Sequence, residues 1–124
     1  MKKIVYLISS LKKNGPNRVL LSMIDGIDKK NYEIYVISFL NNNDLNCVDE
    51  IKKKVKEVYL INFKKKLQIV FNGKKEVKKI LKNINPDIVH SHGILPDIVN
   101  GKLNVLAKKI TTIHDNMFED YIYT

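Results

Sequence analysis

The chain has 124 residues, enough for one domain with a hydrophobic core, and its 44% apolar and 28% charged residues are typical of globular proteins. No apolar run reaches about 18 residues, so no membrane-spanning helix is predicted, and the single Cys47 excludes an intrachain disulfide framework. The net charge is +9 and Arg18 is the only arginine, so the lysines are expected mainly to form a solvated surface. Weak contact with an anionic membrane surface is the alternative, and a nucleic-acid partner is not expected.

Short apolar runs alternate with amphipathic segments along the whole chain. The predicted strands are residues 3–9, 32–40, 57–61, 86–91 and 110–114, and the predicted helices are residues 18–30, 48–55, 64–84 and 95–109. Gly73 is expected to break or kink the third helix. Such alternation predicts an α/β fold: a Rossmann-like, doubly wound parallel sheet of order 3-2-1-4-5, with helices on both faces.

In that order the chain reverses direction between the first and fourth strands, which opens a crevice at the carboxyl ends of the strands. Three polar segments follow strands there: "KKNGPN" after the first strand, "HSHG" at the end of the fourth and "HDN" at the end of the fifth. They include all three histidines of the chain, His90, His92 and His114. The sequence therefore predicts that these segments form one site.

Several chemistries fit such a site. The three histidines could bind a metal ion, but zinc sites need three or four ligands with ordered outer partners, so we expect no metal. We favour His90 in the core beneath the end of the sheet, and His92 and His114 as polar groups in the crevice. A Ser-His-Asp hydrolase using Ser10 or Ser91 is formally open, but no Gly-x-Ser-x-Gly elbow occurs.

The segments "KIVYLISSLKKNGPNRVLLSMIDGID", "YEIYVISF", "NPDIVHSHG" and "TIHD" together resemble the first domain of family-4 retaining glycosyltransferases with the two-domain GT-B architecture. The ending "TIHDN" followed by "EDY" is most similar to enzymes that build bacterial capsule, lipopolysaccharide or exopolysaccharide. The resemblance implies a nucleotide-sugar donor, a saccharide or lipid-linked saccharide acceptor held mainly by the first domain, no cofactor, and a cytoplasmic location, with peripheral contact at the inner face of the membrane.

The resemblance also assigns roles to residues. It implies that His114 is catalytic and touches the transferred sugar, that His92 lines the acceptor side, and that the loop with Asn14 and Gly15 approaches the donor. Two further residues are candidates for substrate binding: Arg18 as a phosphate ligand and Asp115 beside the catalytic histidine, although a carboxylate after a strand also caps turns. Where the family commonly has paired glycines, this chain has Gly15 followed by Pro16, which has no N–H for phosphate.

The resemblance further implies that residues 1–124 form a single, truncated first domain without the donor domain and its Glu-x7-Glu motif. We expect such a chain to be inactive alone and to self-associate, as a homodimer or larger species, through an uncovered apolar edge. The alternative is a non-catalytic α/β module, such as a flavodoxin-like domain, which binds an anionic small molecule or a partner subunit at the same crevice. A receiver-like domain is disfavoured, because Ser9 and Ser10 stand where its acidic cluster would be.

Overall fold

A computed structural model of the chain describes residues 1–12, 15–41 and 46–112. The strands are β1 (Lys2–Ile8), β2 (Tyr32–Leu40), β3 (Glu57–Phe63), β4 (Ile88–His92) and β5 (Lys108–Thr112), and the helices are α1 (Gly15–Gly26), α2 (Val48–Lys52), α3 (Lys66–Ile84) and α4 (Ile94–Lys102). The five strands form one parallel sheet of order β3-β2-β1-β4-β5, which confirms the predicted order.

Helices cover the sheet on both faces because right-handed crossovers place them on opposite sides when the strand order reverses. Alternate residues of β1 point to the two faces, so each face has its own core. On one side β1 and β2 pack against α1 and α2, with buried Ile4, Tyr6, Ile8, Leu20, Ile24, Val36 and Ile51. On the other they pack against α3 and α4, with buried Val5, Leu7, Phe39, Ile69, Val77, Leu81 and Val99.

The expectation that Gly73 breaks or kinks the third helix is wrong. Helix α3 runs without interruption for 19 residues, and Gly73 is buried within it. A Cβ atom at Gly73 would lie 2.9 Å from Cγ2 of Val99 in α4. The glycine therefore permits close packing of two helices, which sequence spacing does not reveal. Helix α3 ends at Ile84, and the next residue, Asn85, has a left-handed φ of 54° directly before Pro86.

The predicted fourth helix is too long. Helix α4 ends at Lys102, and Leu103 is extended, with φ of −70° and ψ of 132°, so that its side chain is buried in the core. Residues 103–107 connect α4 to β5, which begins at Lys108 rather than at Ile110. No helix within the described ranges is long and apolar enough to cross a membrane.

Candidate active site

The candidate site lies at the carboxyl edge of the sheet, where β1 lies between β2 and β4. Ile8 of β1 pairs with Ser38 of β2 on one side and with His92 of β4 on the other. His92 in turn pairs with Thr112 at the end of β5. Because the chain leaves β1 toward α1 and β4 toward α4 on opposite faces, the connections separate here. Residues at or near the carboxyl ends of four strands thus form a row beneath the crevice.

Tyr6, His90 and His92 form a cluster of three rings on the α1 side of the sheet. Residues 90 and 92 share a face because side chains alternate along a strand, and their ring centroids lie 4.9 Å apart. The Tyr6 ring lies 5.1 Å from His90 and 5.9 Å from His92. All three side chains are buried, which confirms the interpretation of His90 and places His92 deeper than an open crevice position.

Burial also sets the protonation of this cluster, because an apolar environment disfavours the charged form of a group. Desolvation lowers the pKa of His90 below its ordinary value and raises the pKa of the Tyr6 hydroxyl. Tyr6 is therefore a neutral phenol at neutral pH, and burial favours the uncharged imidazole of His90. The Tyr6 hydroxyl and the uncharged imidazole of His90 can each donate and accept a hydrogen bond.

On the opposite face, a buried hydrogen-bond network joins α4 to β4 and β5. The Ser91 hydroxyl donates to Oδ1 of Asp97 at 2.6 Å. Nδ2 of Asn100 donates to Ser91 Oγ at 3.1 Å, and it also contacts the carbonyls of Val89 and Ile110, each at 3.3 Å. This network fixes the start of α4, and with it the turn at Gly93, whose φ of 105° suits only glycine well.

The network also argues against Ser91 as the nucleophile of a Ser-His-Asp hydrolase. Ser91 alternates with His90 and His92, so its hydroxyl lies on the face of the sheet away from both imidazoles. It is fully buried and donates to Asp97 rather than to a histidine. A nucleophile must hydrogen bond to its base, so Ser91 is a structural residue.

The first loop is held by a residue that the sequence analysis did not single out. Asn17, in the first turn of α1, is buried, and its Nδ2 donates to the carbonyls of Ser10 at 2.8 Å and Lys12 at 2.5 Å. These bonds fold the end of β1 back over the start of the helix. Its neighbour Arg18 is exposed, so its guanidinium faces solvent at the same end of the sheet.

Comparison with known protein families is consistent with the fold and the strand-end site described above. The model described as Glycosyltransferase Family 4 matches residues 13–124, which is most of the chain and contains the "HSHG" and "HDN" segments. The chain belongs to glycosyltransferase family 4. Two curated Escherichia coli relatives, both described as the O-antigen biosynthesis glycosyltransferase WclY, are each 33% identical over 127 residues. The alignments cover 98% of this chain but 31% of each relative, so the chain spans about a third of their length.

The structure describes only some of the residues that were predicted to form the site of this family-4 chain. His92 lies in the row at the end of the strands, Gly15 opens α1, and Arg18 follows in its first turn. Asn14, His114 and Asp115 fall outside the described residues, so the grouping of all three histidines stays a prediction. Within residues 1–12, 15–41 and 46–112, no cluster of three or more His, Cys, Asp or Glu side chains could hold a metal ion.

Ser38 is a second residue of this family-4 domain that sequence reasoning missed. It is fully buried two residues before the end of β2, two strands from His92, and its Oγ has no hydrogen-bond partner in the structure. Buried hydroxyl groups normally have a hydrogen-bond partner, so the Ser38 hydroxyl has unused hydrogen-bonding capacity near the edge of the site. The sequence feature that could have identified Ser38 is its position as a small polar residue within the apolar run "YEIYVISFL".

Proposed function

We propose that the chain is the acceptor-side domain of a glycosyltransferase that moves a sugar from a nucleotide-sugar donor to a saccharide or lipid-linked saccharide acceptor. The observation that carries the proposal is the family-4 match over residues 13–124. The two O-antigen relatives favour a role in the synthesis of a bacterial surface polysaccharide, at the cytoplasmic side of the membrane. The site lies at the carboxyl edge of the parallel sheet, between β1 and β4, which is where open α/β sheets bind their ligands.

The length of the relatives supports a two-domain arrangement of the GT-B type. In this proposal residues 1–124 belong to the first, Rossmann-like domain, and a second domain supplies most of the nucleotide-sugar contacts. His114 then faces the transferred sugar as the catalytic residue, with Asp115 beside it. Asn14, Gly15 and Arg18 approach the donor phosphates, and Arg18 is exposed as such a contact requires. His92, buried at the end of β4, lies on the acceptor side.

The proposal is tested in the full-length protein, whose coding sequence should continue into a second Rossmann-like domain with a Glu-x7-Glu motif. We expect His114→Ala to lower kcat by a factor of about 30 to 1,000, because a hydrogen bond to the sugar that forms mainly in the transition state is worth about 2–4 kcal/mol. The measurement is sugar transfer from radiolabelled nucleotide sugars to lipid-linked acceptors, with circular dichroism as the folding control.

The outcomes separate the proposal from its alternative. A folded His114→Ala protein with unchanged turnover would remove that histidine from the site. A full-length protein that binds an anionic metabolite or a partner subunit at the crevice, yet transfers no sugar from any nucleotide donor, would favour the non-catalytic α/β module.

A further inference from the structure

The connection between β1 and α1 is attached to its neighbours through carbonyl oxygens. We call residues 9–12 the loop base. The N–H of Leu40, at the end of β2, donates to the carbonyl of Ser9 at 2.8 Å. The N–H of Cys47, directly before α2, donates to the carbonyl of Leu11 at 2.8 Å, and the Cys47 thiol donates to the same oxygen at 3.3 Å. Bonds from β2 and from the start of α2 therefore hold the loop base at the carboxyl edge of the sheet.

Asn17 binds the other two carbonyls of the loop base. Its side chain is 5% exposed in the first turn of α1, and its Nδ2 donates to the carbonyl of Ser10 at 2.8 Å and to that of Lys12 at 2.5 Å. One amide nitrogen carries two N–H groups, so a single asparagine serves both oxygens. These bonds join the loop base to α1 itself, and they fix the position of the helix start relative to the end of β1.

The start of α1 suits an anion better than a cation. Its first turn, from Gly15, contains no acidic residue, and it contains the exposed Arg18. The first N–H groups of a helix are not used within it and carry partial positive charge. The carbonyl oxygens of the loop base would repel an anion, but they are directed at hydrogen-bond donors in the neighbouring elements. Asn17 supplies the donor for two of these four oxygens.

We propose that Asn17 is a positioning residue for donor binding. By bonding two carbonyls of the loop base, it holds the amino end of α1 where Gly15 and Arg18 receive the phosphates of the nucleotide sugar. Its side chain is buried and its amide N–H groups are directed at the backbone, so it acts through α1 and not by contact with the substrate. The assignment rests on the proposed function, and it adds the residue on which the geometry of the donor end depends.

The arrangement of the bonds predicts which kinetic constant changes. Without the Asn17 amide, the main-chain bonds to Ser9 and Leu11 remain, so the loop base stays attached to the sheet and the chain still folds. The amino end of α1 then becomes more mobile, and donor binding has to order it with a loss of conformational entropy. The donor KM therefore rises. Once the donor is bound, the helix start is in place, so kcat is retained.

Steady-state kinetics of the full-length protein test the assignment. Radiolabelled UDP-sugars and GDP-sugars are screened with the wild type, and the donor that is transferred is used throughout. We expect Asn17→Ala to raise the donor KM about tenfold and to change kcat by less than about twofold, with the acceptor KM unchanged. Asn17→Ser keeps one hydroxyl donor and should give an intermediate donor KM, so it provides the comparison if Asn17→Ala does not fold. Circular dichroism checks the fold of each variant.

Asn100→Ala is the matched control. Asn100 is also a buried asparagine whose Nδ2 donates to two backbone carbonyls, but it lies on the opposite face of the sheet, in α4. A residue that acts only on folding changes the amount of active enzyme, and therefore the apparent kcat, but not KM. We expect Asn100→Ala to lower stability and to keep the donor KM of the wild type. An equal rise of the donor KM in both alanine variants would show a general effect of destabilisation and overturn the assignment.

Combining Asn17→Ala with Arg18→Gln tests whether Asn17 acts through the start of α1. If Asn17 holds Arg18 in place, the double variant should raise the donor KM by less than the product of the two single rises. A rise equal to that product, a wild-type donor KM in folded Asn17→Ala, or a loss confined to kcat would each overturn the assignment while the proposed function stands. A wild-type protein that transfers no sugar would overturn the proposed function and this assignment together.

Discussion

His90 illustrates at the scale of one residue how burial couples a ring cluster to pH. Its imidazole packs 5.1 Å from Tyr6, and desolvation lowers its pKa from the ordinary value of 6.5. The unfolded chain therefore binds a proton at a pH where the folded chain does not. The resulting stability is fully present above about pH 6.5, and it is lost as the pH falls toward the lower pKa of the folded state.

We predict that replacing His90 with phenylalanine makes the free energy of unfolding less sensitive to pH. Between about pH 7.5 and about pH 5.5 the wild type should lose stability by at most about 1.4 kcal/mol per pH unit from this proton, and His90→Phe should lose less. Phenylalanine retains the ring contact with Tyr6. Urea unfolding at several pH values measures the difference, and parallel curves for the two proteins would contradict the assignment of the proton to His90.

At the scale of an element, α3 and α4 depend on the absence of a side chain at Gly73. A new Cβ would meet Cγ2 of Val99 at 2.9 Å, a contact that real structures do not tolerate without movement. We predict that Gly73→Ala destabilises the fold by about 1–2 kcal/mol, because overpacking outweighs the gain of about 1 kcal/mol in helix propensity.

Gly101 provides the matched control, because it lies in α4 and a Cβ atom added there would have nothing within 4 Å. Gly101→Ala should leave stability unchanged or raise it by up to about 1 kcal/mol. Thermal unfolding followed by circular dichroism compares the two variants. A stabilised Gly73→Ala protein would show that α4 moves away from α3 at little cost.

The network around Asn100 holds α4 against the sheet in a different way, through buried polar groups. Asn100→Ala removes a donor shared by the carbonyls of Val89 and Ile110 and by the Ser91 hydroxyl. We predict a loss of about 2–4 kcal/mol in stability, since buried acceptors are left without a partner. Lys102→Ala, at an exposed position two residues later, should change stability by less than about 0.5 kcal/mol. Equal effects of the two substitutions in urea unfolding would show that the network contributes nothing.

At the scale of the whole molecule, the proposed function predicts that residues 1–124 alone transfer no sugar and bind nucleotide sugars no more tightly than about millimolar. Transfer requires the donor carbon to be held about 3–3.5 Å from the acceptor and the leaving diphosphate to be stabilised as its charge develops. The proposal assigns those tasks mainly to the second domain. Calorimetric titration with common nucleotide sugars measures the affinity, and light scattering measures the self-association expected from exposed apolar surface. Micromolar binding by a monomer would contradict the assignment.

The sequence by itself determined the order of the elements and the topology. Strand periodicity and β-branched residues identified β2 with its observed bounds, Tyr32–Leu40, and the alternation of strands and helices led to the parallel order. These features are local or follow from general rules of chain connection. The position of His92 at the end of β4 follows from the same rules, as does the burial of His90.

Only the tertiary structure decided which side chains meet across elements. Gly73 is a helix breaker in isolation, but the approach of α4 makes it a packing position. Leu103 has a sequence context that suits a helix, yet burying its side chain in an extended segment is more favourable. The roles of Asn17 and Asn100 come from hydrogen bonds to residues outside their own helices. Such a bond depends on distance and direction in three dimensions, which residue spacing along one element does not specify.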